Sequence, residues 1–486
     1  MKYTLIIGAA LLLAACTKPL EVSPTSEIST ENVLTTETGI RSVLNSSYAQ
    51  MQNQQLSRVL INEAEVSTDL GYNTNGAENV YLSAFINFTW DASLATFASD
   101  VWSPNYTSIR DANSVIENIA NVSTTDENKK LYKAEARVLR AFAYTRLYNY
   151  FGPVPLRTST TQPGDLARAT DDEMKTFIET EITEAVADLP DPGQEAQYGR
   201  INKGIAYSIL AKFFLNTKQW QKAADAGNSV IAFGYYALYA DFSELFRVAN
   251  EGIANKEMIL VLPCLNETDY GNWFMAGAMP ASFASAPEVP GFVYNSGMSI
   301  FATNYRLRDA FVNTFDANDA RKKLIITKYV NTAGTTINLT ASADNCRSFK
   351  YWDNAIVGNN GGADVPLLRY ADILLTRAEA LNELNGPSTE AFGLINQVRT
   401  RAGLSNLTAT DAATQADFRA AILRERGWEF VSEGKRREDL IRQGKFLTSA
   451  ISRGISANIA TDNKVLFPIP QTEINANKLC TQNPGY

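Results

Sequence analysis

From Pro366 to Leu404 the apolar positions fall at alternating steps of three and four: Leu367, Ala371, Leu374, Ala378 and Leu381, then Ala391, Leu394, Ile395, Val398 and Ala402. This spacing puts each set on one face of a helix. Asn385-Gly386-Pro387 separates them, with glycine suited to the left-handed position past a helix end and proline unable to extend it. Ser388 or Thr389 supplies a cap for the second helix. The stretch reads as a helical hairpin with the dimensions of a tetratricopeptide-type unit, which cannot bury its apolar face alone. Partners with the same spacing are predicted elsewhere, at Glu37 to Gln54 (Ile40, Val43, Leu44, Tyr48) and from Tyr106 to Ala120. Others follow at Asp126 to Tyr150 (Leu131, Ala134, Val138, Ala141, Phe142, Leu147), Asp171 to Leu189, Asn202 to Thr217 with Trp220 to Phe233, and Phe418 to Phe446.

Two stretches break the period. Asp69 to Ala98, with Gly71, Tyr72, Asn73, Asn75, Gly76, Asn79, Phe88 and Trp90, reads as a long loop. Tyr239 to Asp364 carries Gly, Asn and aromatics, with short β-like pieces at Met258 to Leu262 and Lys323 to Val330. Tyr270, Trp273, Phe274, Phe283, Phe292 and Tyr294 cluster there among Gly and Pro. Aromatics in such irregular segments are candidates for a binding surface, although each one alone is as readily a plug for its loop. Trp102 and Tyr106 lead into a periodic helix and read as structural. Near the carboxyl end, RERGWEFVSEGKRRED alternates in sign, which predicts an ion-pair network rather than an anion site. Leu466 to Tyr486 is proline-punctuated and reads as a closing strap.

The amino terminus has Lys2, an apolar run from Leu5 to Leu13 and then Leu13-Ala14-Ala15-Cys16. It is short for a membrane span and reads as a signal peptide with a lipobox (1–16) that leaves Cys16 lipidated. Residues 17–30 form a tether rich in Pro, Ser and Thr. With Cys16 lipidated, Cys264, Cys346 and Cys480 remain, too few and too scattered for a disulfide framework or a metal site, and a packing role is expected.

Composition narrows the chemistry. The 486 residues contain no histidine, which removes His-based triads and His-ligated zinc, and no metal or other cofactor is expected. Carboxylates are plentiful, but no spacing singles out a catalytic pair. The net charge of −8 argues against nucleic acid. A loop-built binding surface can combine flat aromatic platforms with amides, carboxylates or guanidinium groups at their edges. The two loops supply these as Asp69, Tyr72, Asn73, Asn75 and Trp90 in the first and Tyr270, Asn272, Trp273 and Phe274 in the second, with Trp273 foremost, then Tyr72 and Trp90.

Several segments taken in order resemble the SusD/RagB family of Bacteroidetes: the lipobox, EARVLRAFAYTRLYNYFGPVPL (135–156), PLLRYADILLTRAEALNEL (366–384), LRERGWEFVSEGKRREDLIRQGKF (423–446) and LFPIPQTEINANKLCTQNPGY (466–486). Thr17-Lys18-Pro19-Leu20 departs from the acidic residues that often follow the lipidated cysteine in that family. The resemblance implies a mainly α fold, a tetratricopeptide-like helical-pair scaffold with an irregular, loop-rich ligand-binding subdomain. The scaffold is expected at 31–238 (with a loop insertion at 69–98) and 366–486, and the subdomain at 239–365. It also implies a non-enzymatic lipoprotein, lipid-anchored in the outer membrane and exposed on the cell surface, that binds an oligosaccharide or polysaccharide and delivers it to a SusC-like TonB-dependent transporter. A peptide-binding member of the same family, or a helical-repeat scaffold for protein interaction, is the alternative.

Overall fold

The computed structural model of the protein describes residues 34–52, 64–73, 79–300 and 305–486. The signal peptide, Cys16 and the whole tether lie outside the described residues, as does Asn75.

The predicted helices form. Helix α1 (Glu37–Ala49) opens on Thr36, whose hydroxyl accepts from the Gly39 amide at 3.1 Å, and buries Ile40 and Leu44. The stretch read as a loop holds a second helix, α2 (Asn79–Asn87), whose Leu82 and Phe85 are buried. Then come α3 (Ser103–Asn118), α4 (Asp126–Phe151), α5 (Asp171–Ala185), α6 (Lys203–Asn216) and α7 (Trp220–Ala232). After a long gap the chain returns to helix at α8 (Tyr370–Asn385), α9 (Thr389–Arg401), α10 (Gln415–Glu429) and α11 (Arg436–Arg442). Ser388 caps α9, and Thr170 and Thr414 make reciprocal capping boxes with Glu173 and Asp417. Helix α3 packs on α1 and α4, α4 on α5, α6 on α7, α7 on α8, and α8 on α9 and α10, so each apolar face is covered by the next.

Helix α8 begins later than the periodicity implies. Pro366, Leu367 and Leu368 belong to a strand, Val365–Arg369, which pairs antiparallel with Met258–Leu262. The ribbon wins because all five residues of Met258–Leu262 and all but Leu367 of its partner are buried, and extended backbone there can pair its polar groups across the two strands. The chain thus leaves the scaffold through one strand and returns through its neighbour. Between them runs an excursion of short elements. Phe283–Ser285, Lys328–Asn331 and Thr336–Asn338 make a small sheet, and Ile325–Ile326 pairs with Arg347–Ser348. Phe283 and Phe292 are core there, packed on Phe349 at 5.2 and 5.7 Å between ring centroids. The three described cysteines are unbridged: Cys346 and Cys480 are buried and Cys264 is half-buried.

The alternating charges do form a network, and its members are buried. Arg369 is held by Glu433 at 2.7 Å, by Glu429 at 3.0 Å and by Glu257. Arg426 bridges Asp372 and Asp439, and Arg442 bridges Glu379 and Asp439. Two cations come from the excursion: Arg321 reaches Glu425 at 2.7 Å and Glu429 at 3.1 Å on α10, and Lys350 reaches Glu433 at 2.7 Å. Burial by itself lifts the Glu429 carboxyl, but the guanidinium groups of Arg401, Arg369 and Arg321 more than reverse this and hold its pKa well below the usual carboxylate range. The network fixes the excursion to the scaffold. The strap from Leu466 closes over α4: the Phe467 amide donates to Tyr150 O at 2.7 Å, and Asn483 Nδ2 donates to Phe151 O at 2.9 Å.

Candidate functional site

Trp273 stands at the start of a single-turn helix, Phe274–Ala278, on the surface of the excursion. Its neighbours fix it. The backbone of Asn272 exchanges hydrogen bonds with Gly361 at 2.8 and 3.0 Å, its Nδ2 donates to Ala363 O at 3.0 Å, and its Oδ1 accepts from the Phe274 amide at 3.0 Å. Phe274 plugs inward between Tyr305 and Tyr351, at 5.5 and 5.2 Å. The two chains approach so closely that a Cβ on Gly271 would lie 2.2 Å from that of Asn360. The Trp273 indole remains half-buried, its Nε1 donating to Asn360 Oδ1 at 2.8 Å. An indole held by its edge in this way is restrained as an apolar plane, which lowers the rotamer entropy lost when a ligand stacks on it.

Around it lie exposed apolar groups and amides. Tyr270 is 59% exposed, and its carbonyl accepts from the amide of Leu265, also exposed, at 2.8 Å. Val357 is 59% exposed and its backbone is bonded to that of Asn360. On the same excursion Asn354 Oδ1 accepts from the amide of exposed Val293, and Asn295 Nδ2 donates to Asn354 O. Apolar planes edged by amides are what a sugar ring, with C–H faces and a hydroxyl rim, can use.

The structure joins the two candidate loops through one segment. Tyr72 pairs with Arg306, and the preceding residue, Tyr305, packs its ring on Phe274 while its amide donates to Gly277 O at 3.1 Å. Tyr72 is half-buried under the Arg308 guanidinium, which lies 4.7 Å from its ring centroid. Tyr72, Tyr270 and Trp273 therefore remain as candidates on one body.

Five of the predicted ligand residues do other work. Trp90 is 2% exposed, packed on Phe88 at 4.8 Å and Phe467 at 5.3 Å, with Nε1 donating to the Tyr486 hydroxyl at 2.8 Å. It is the plug that the carboxyl-terminal strap closes on, and no face is left for a sugar. Phe274 and Asn272 are buried as described, and Asn73 is also buried. Asp69 makes a two-pronged bond to Arg436 at 2.8 and 2.7 Å, which ties the first loop to α11. Trp102 and Tyr106 are core, as their place on a periodic helix predicts: Trp102 packs on Phe151 and the Tyr106 hydroxyl donates to Pro155 O. Sequence reasoning missed Asn360, which sits in Gly358-Asn359-Asn360-Gly361-Gly362. That glycine-flanked pair signals a tight turn, and such a turn was the available clue. It also missed Trp352, held between Phe292 and the Arg247 guanidinium, which lies 4.1 Å from the Trp352 ring.

These features define a class of protein: a helical-repeat scaffold that presents a loop-built surface of aromatics and amides. A sequence profile described as "SusD family" matches residues 256–486, and one described as "Starch-binding associating with outer membrane" matches residues 18–215. The SusD-like protein P25 of Formosa agariphila is 26% identical over 97% of both chains, and the starch-binding protein SusD of Bacteroides thetaiotaomicron is 26% identical over 74% of both. Among solved structures, a laminarin-binding SusD-like protein superposes with a TM-score of 0.78 at 24% identity, covering 93% of this chain and all of that one. Surface glycan-binding protein A of B. thetaiotaomicron, in complex with laminarihexaose, gives 0.73 at 20%, covering 92% of this chain and all of that one. At such identities the superpositions establish the fold. The chain belongs to the SusD family.

Proposed function

We propose that this chain is a glycan-capture lipoprotein of the outer membrane, held at the cell surface by lipid on Cys16, which passes an oligosaccharide to a SusC-like TonB-dependent transporter. The observation that carries the glycan reading is the Trp273 indole, locked at its edge by Asn360 and flanked by exposed Tyr270. One hexose face stacks on the indole while the amides of the neighbouring turns meet its hydroxyls. A few such contacts give modest affinity, which suits a protein that must release its cargo to a transporter. The starch, laminarin and laminarihexaose in the names of relatives and structural neighbours support the ligand class. The outer-membrane description of the matching profile supports the location. Binding without turnover is the proposed chemistry.

The test is calorimetric titration of the full-length protein in detergent with laminarihexaose, with a starch-derived hexasaccharide and with mixed peptides, repeated for Trp273→Ala. The expected result is saccharide binding weakened at least tenfold in the variant, a loss of about 1.4 kcal/mol. Recovery of the sugar unchanged excludes turnover. Peptide binding without sugar binding would replace the glycan reading with a peptide one. Co-purification with a large β-barrel partner from the native membrane tests the delivery step.

A further inference from the structure

Helix α9 carries a glycine that its own structure does not require. Gly393 lies mid-helix and exposed, where glycine is the least favourable residue apart from proline. Other helical glycines have a packing reason: a Cβ on Gly204 would meet the Tyr236 ring, on Gly227 Arg377, on Gly277 Tyr305 and on Gly427 Arg436. At Gly393 nothing lies within 4 Å of the Cβ position. What the missing side chain does is leave open a groove of 760 Å³ between α9 and the segment around Leu238. That volume falls in the range of small-ligand sites, about 300–1,000 Å³.

The groove is built. At its base lies Tyr370, only 9% exposed, whose ring is nearly parallel to that of Tyr236 (24°, 6.2 Å between centroids), and no described residue hydrogen-bonds the Tyr370 hydroxyl. Tyr236 is locked in turn by its close fit over Gly204. The rim is uncharged. Thr400 Oγ1 donates to Asn406 Oδ1 at 3.2 Å, which leaves Asn406 Nδ2 without a partner among the described residues. Gln397 is exposed, with only a 3.4 Å bond from Nε2 to its own helix at Gly393 O. Asn396 anchors the loop behind them by exchanging hydrogen bonds with the Leu407 backbone at 3.0 and 2.7 Å. The one cation at the groove, Arg401, is consumed by Glu257 and Glu429.

From these features we infer a second saccharide subsite, on the scaffold and separate from the Trp273 surface, that takes a neutral sugar unit against the Tyr370 hydroxyl and the Gln397, Thr400 and Asn406 side chains. An uncharged rim of amides and hydroxyls matches a polyhydroxylated ligand and offers nothing to an ionic one. The inference rests on the glycan reading above and adds a site to it. Two points of attachment on one chain raise the avidity for a long glycan beyond that of either site.

A Cβ at Gly393 meets nothing within 4 Å, so Gly393→Leu adds bulk at the groove and tests the subsite. The probes are laminarihexaose and the starch-derived hexasaccharide, titrated calorimetrically against the full-length protein, Gly393→Leu, Trp273→Ala and the double variant. The expected result is two sites in the wild type, one in each single variant and none in the double variant. Gly393→Leu should melt no lower than the wild type. A single wild-type site abolished by Trp273→Ala and untouched by Gly393→Leu would overturn the subsite and leave the glycan reading intact. Failure of the wild type to bind either sugar would overturn both.

Discussion

Arg369→Met tests whether the buried charges hold the excursion in place. The guanidinium is fully buried and meets three carboxylates, those of Glu257, Glu429 and Glu433. With charge centres about 4 Å apart, each pair is worth about 4 kcal/mol before desolvation at an effective dielectric constant of about 20. Methionine recovers the desolvation cost of the cation, but the carboxylates stay buried with fewer counter-charges: Glu429 keeps Arg401 and Arg321, and Glu433 keeps Lys350. The net loss expected for breaking such a buried set is about 3–5 kcal/mol. Urea unfolding followed by far-UV circular dichroism at pH 7 measures it. The pH dependence supplies the sign check. Glu429 and Glu433 are held below their ordinary pKa, so their stabilisation is present above about pH 4.5 and is lost as pH falls through the folded-state values. The variant has less to lose, so its deficit should shrink as the pH is lowered from about 4.5 to about 3. A deficit under about 1 kcal/mol at pH 7, or one that does not change on acidification, would show that Arg369 acts by filling space rather than by charge.

Three further outcomes follow from the packing. Trp90→Ala should destabilise the protein by about 3–5 kcal/mol in the same urea assay, as removal of a buried aromatic does, because Trp90 is enclosed by Phe85, Phe88 and Phe467. Gly393→Ala should raise stability by about 0.5–1 kcal/mol, since it improves helix propensity and meets nothing. At the foot of the excursion, burial pushes the Glu251 carboxyl up to about 8 with help from Asp364 and Asp353, opposed by Arg247, and burial lifts Asp364 to about 6. Between its ordinary pKa and its raised folded value each carboxyl stays protonated in the folded state while it ionises in the unfolded one, so thermal stability should fall as pH rises from about 4.5 to about 8 and level off above, and Glu251→Gln should remove most of that fall.

The helices were legible because their burial is periodic and local: α1, α4, α6 and α9 form where the three-and-four spacing puts them. The start of α8 was not, since Leu367 continues the helical spacing while its backbone is claimed by a strand more than a hundred positions earlier. Trp90 shows the same limit for the site. Its glycine- and asparagine-rich surroundings look like a binding loop, but its indole bonds to Tyr486, 396 positions away. Trp273 could be proposed from composition, whereas its anchor, Asn360, lies 87 positions on and is visible only when the chain is folded. The sign alternation around Glu429 announced an ion-pair network. Its partners Glu257, Arg321 and Lys350 come from outside that segment, where sequence spacing carries no information about them.

The ribbon of Met258–Leu262 with Val365–Arg369 makes the excursion a cassette. Neighbouring strands lie only about 4.8 Å apart, so the scaffold presents one fixed doorway whatever hangs beyond it. Lengthening what hangs there costs little, about 0.6 kcal/mol per doubling of loop length. New loops could therefore be exchanged among relatives without rebuilding the helices, giving new ligand preferences on an old frame. The constraint on such a transplant is ionic: the incoming cassette must bring cations where Arg321 and Lys350 stand, or Glu425, Glu429 and Glu433 are left buried with fewer counter-charges.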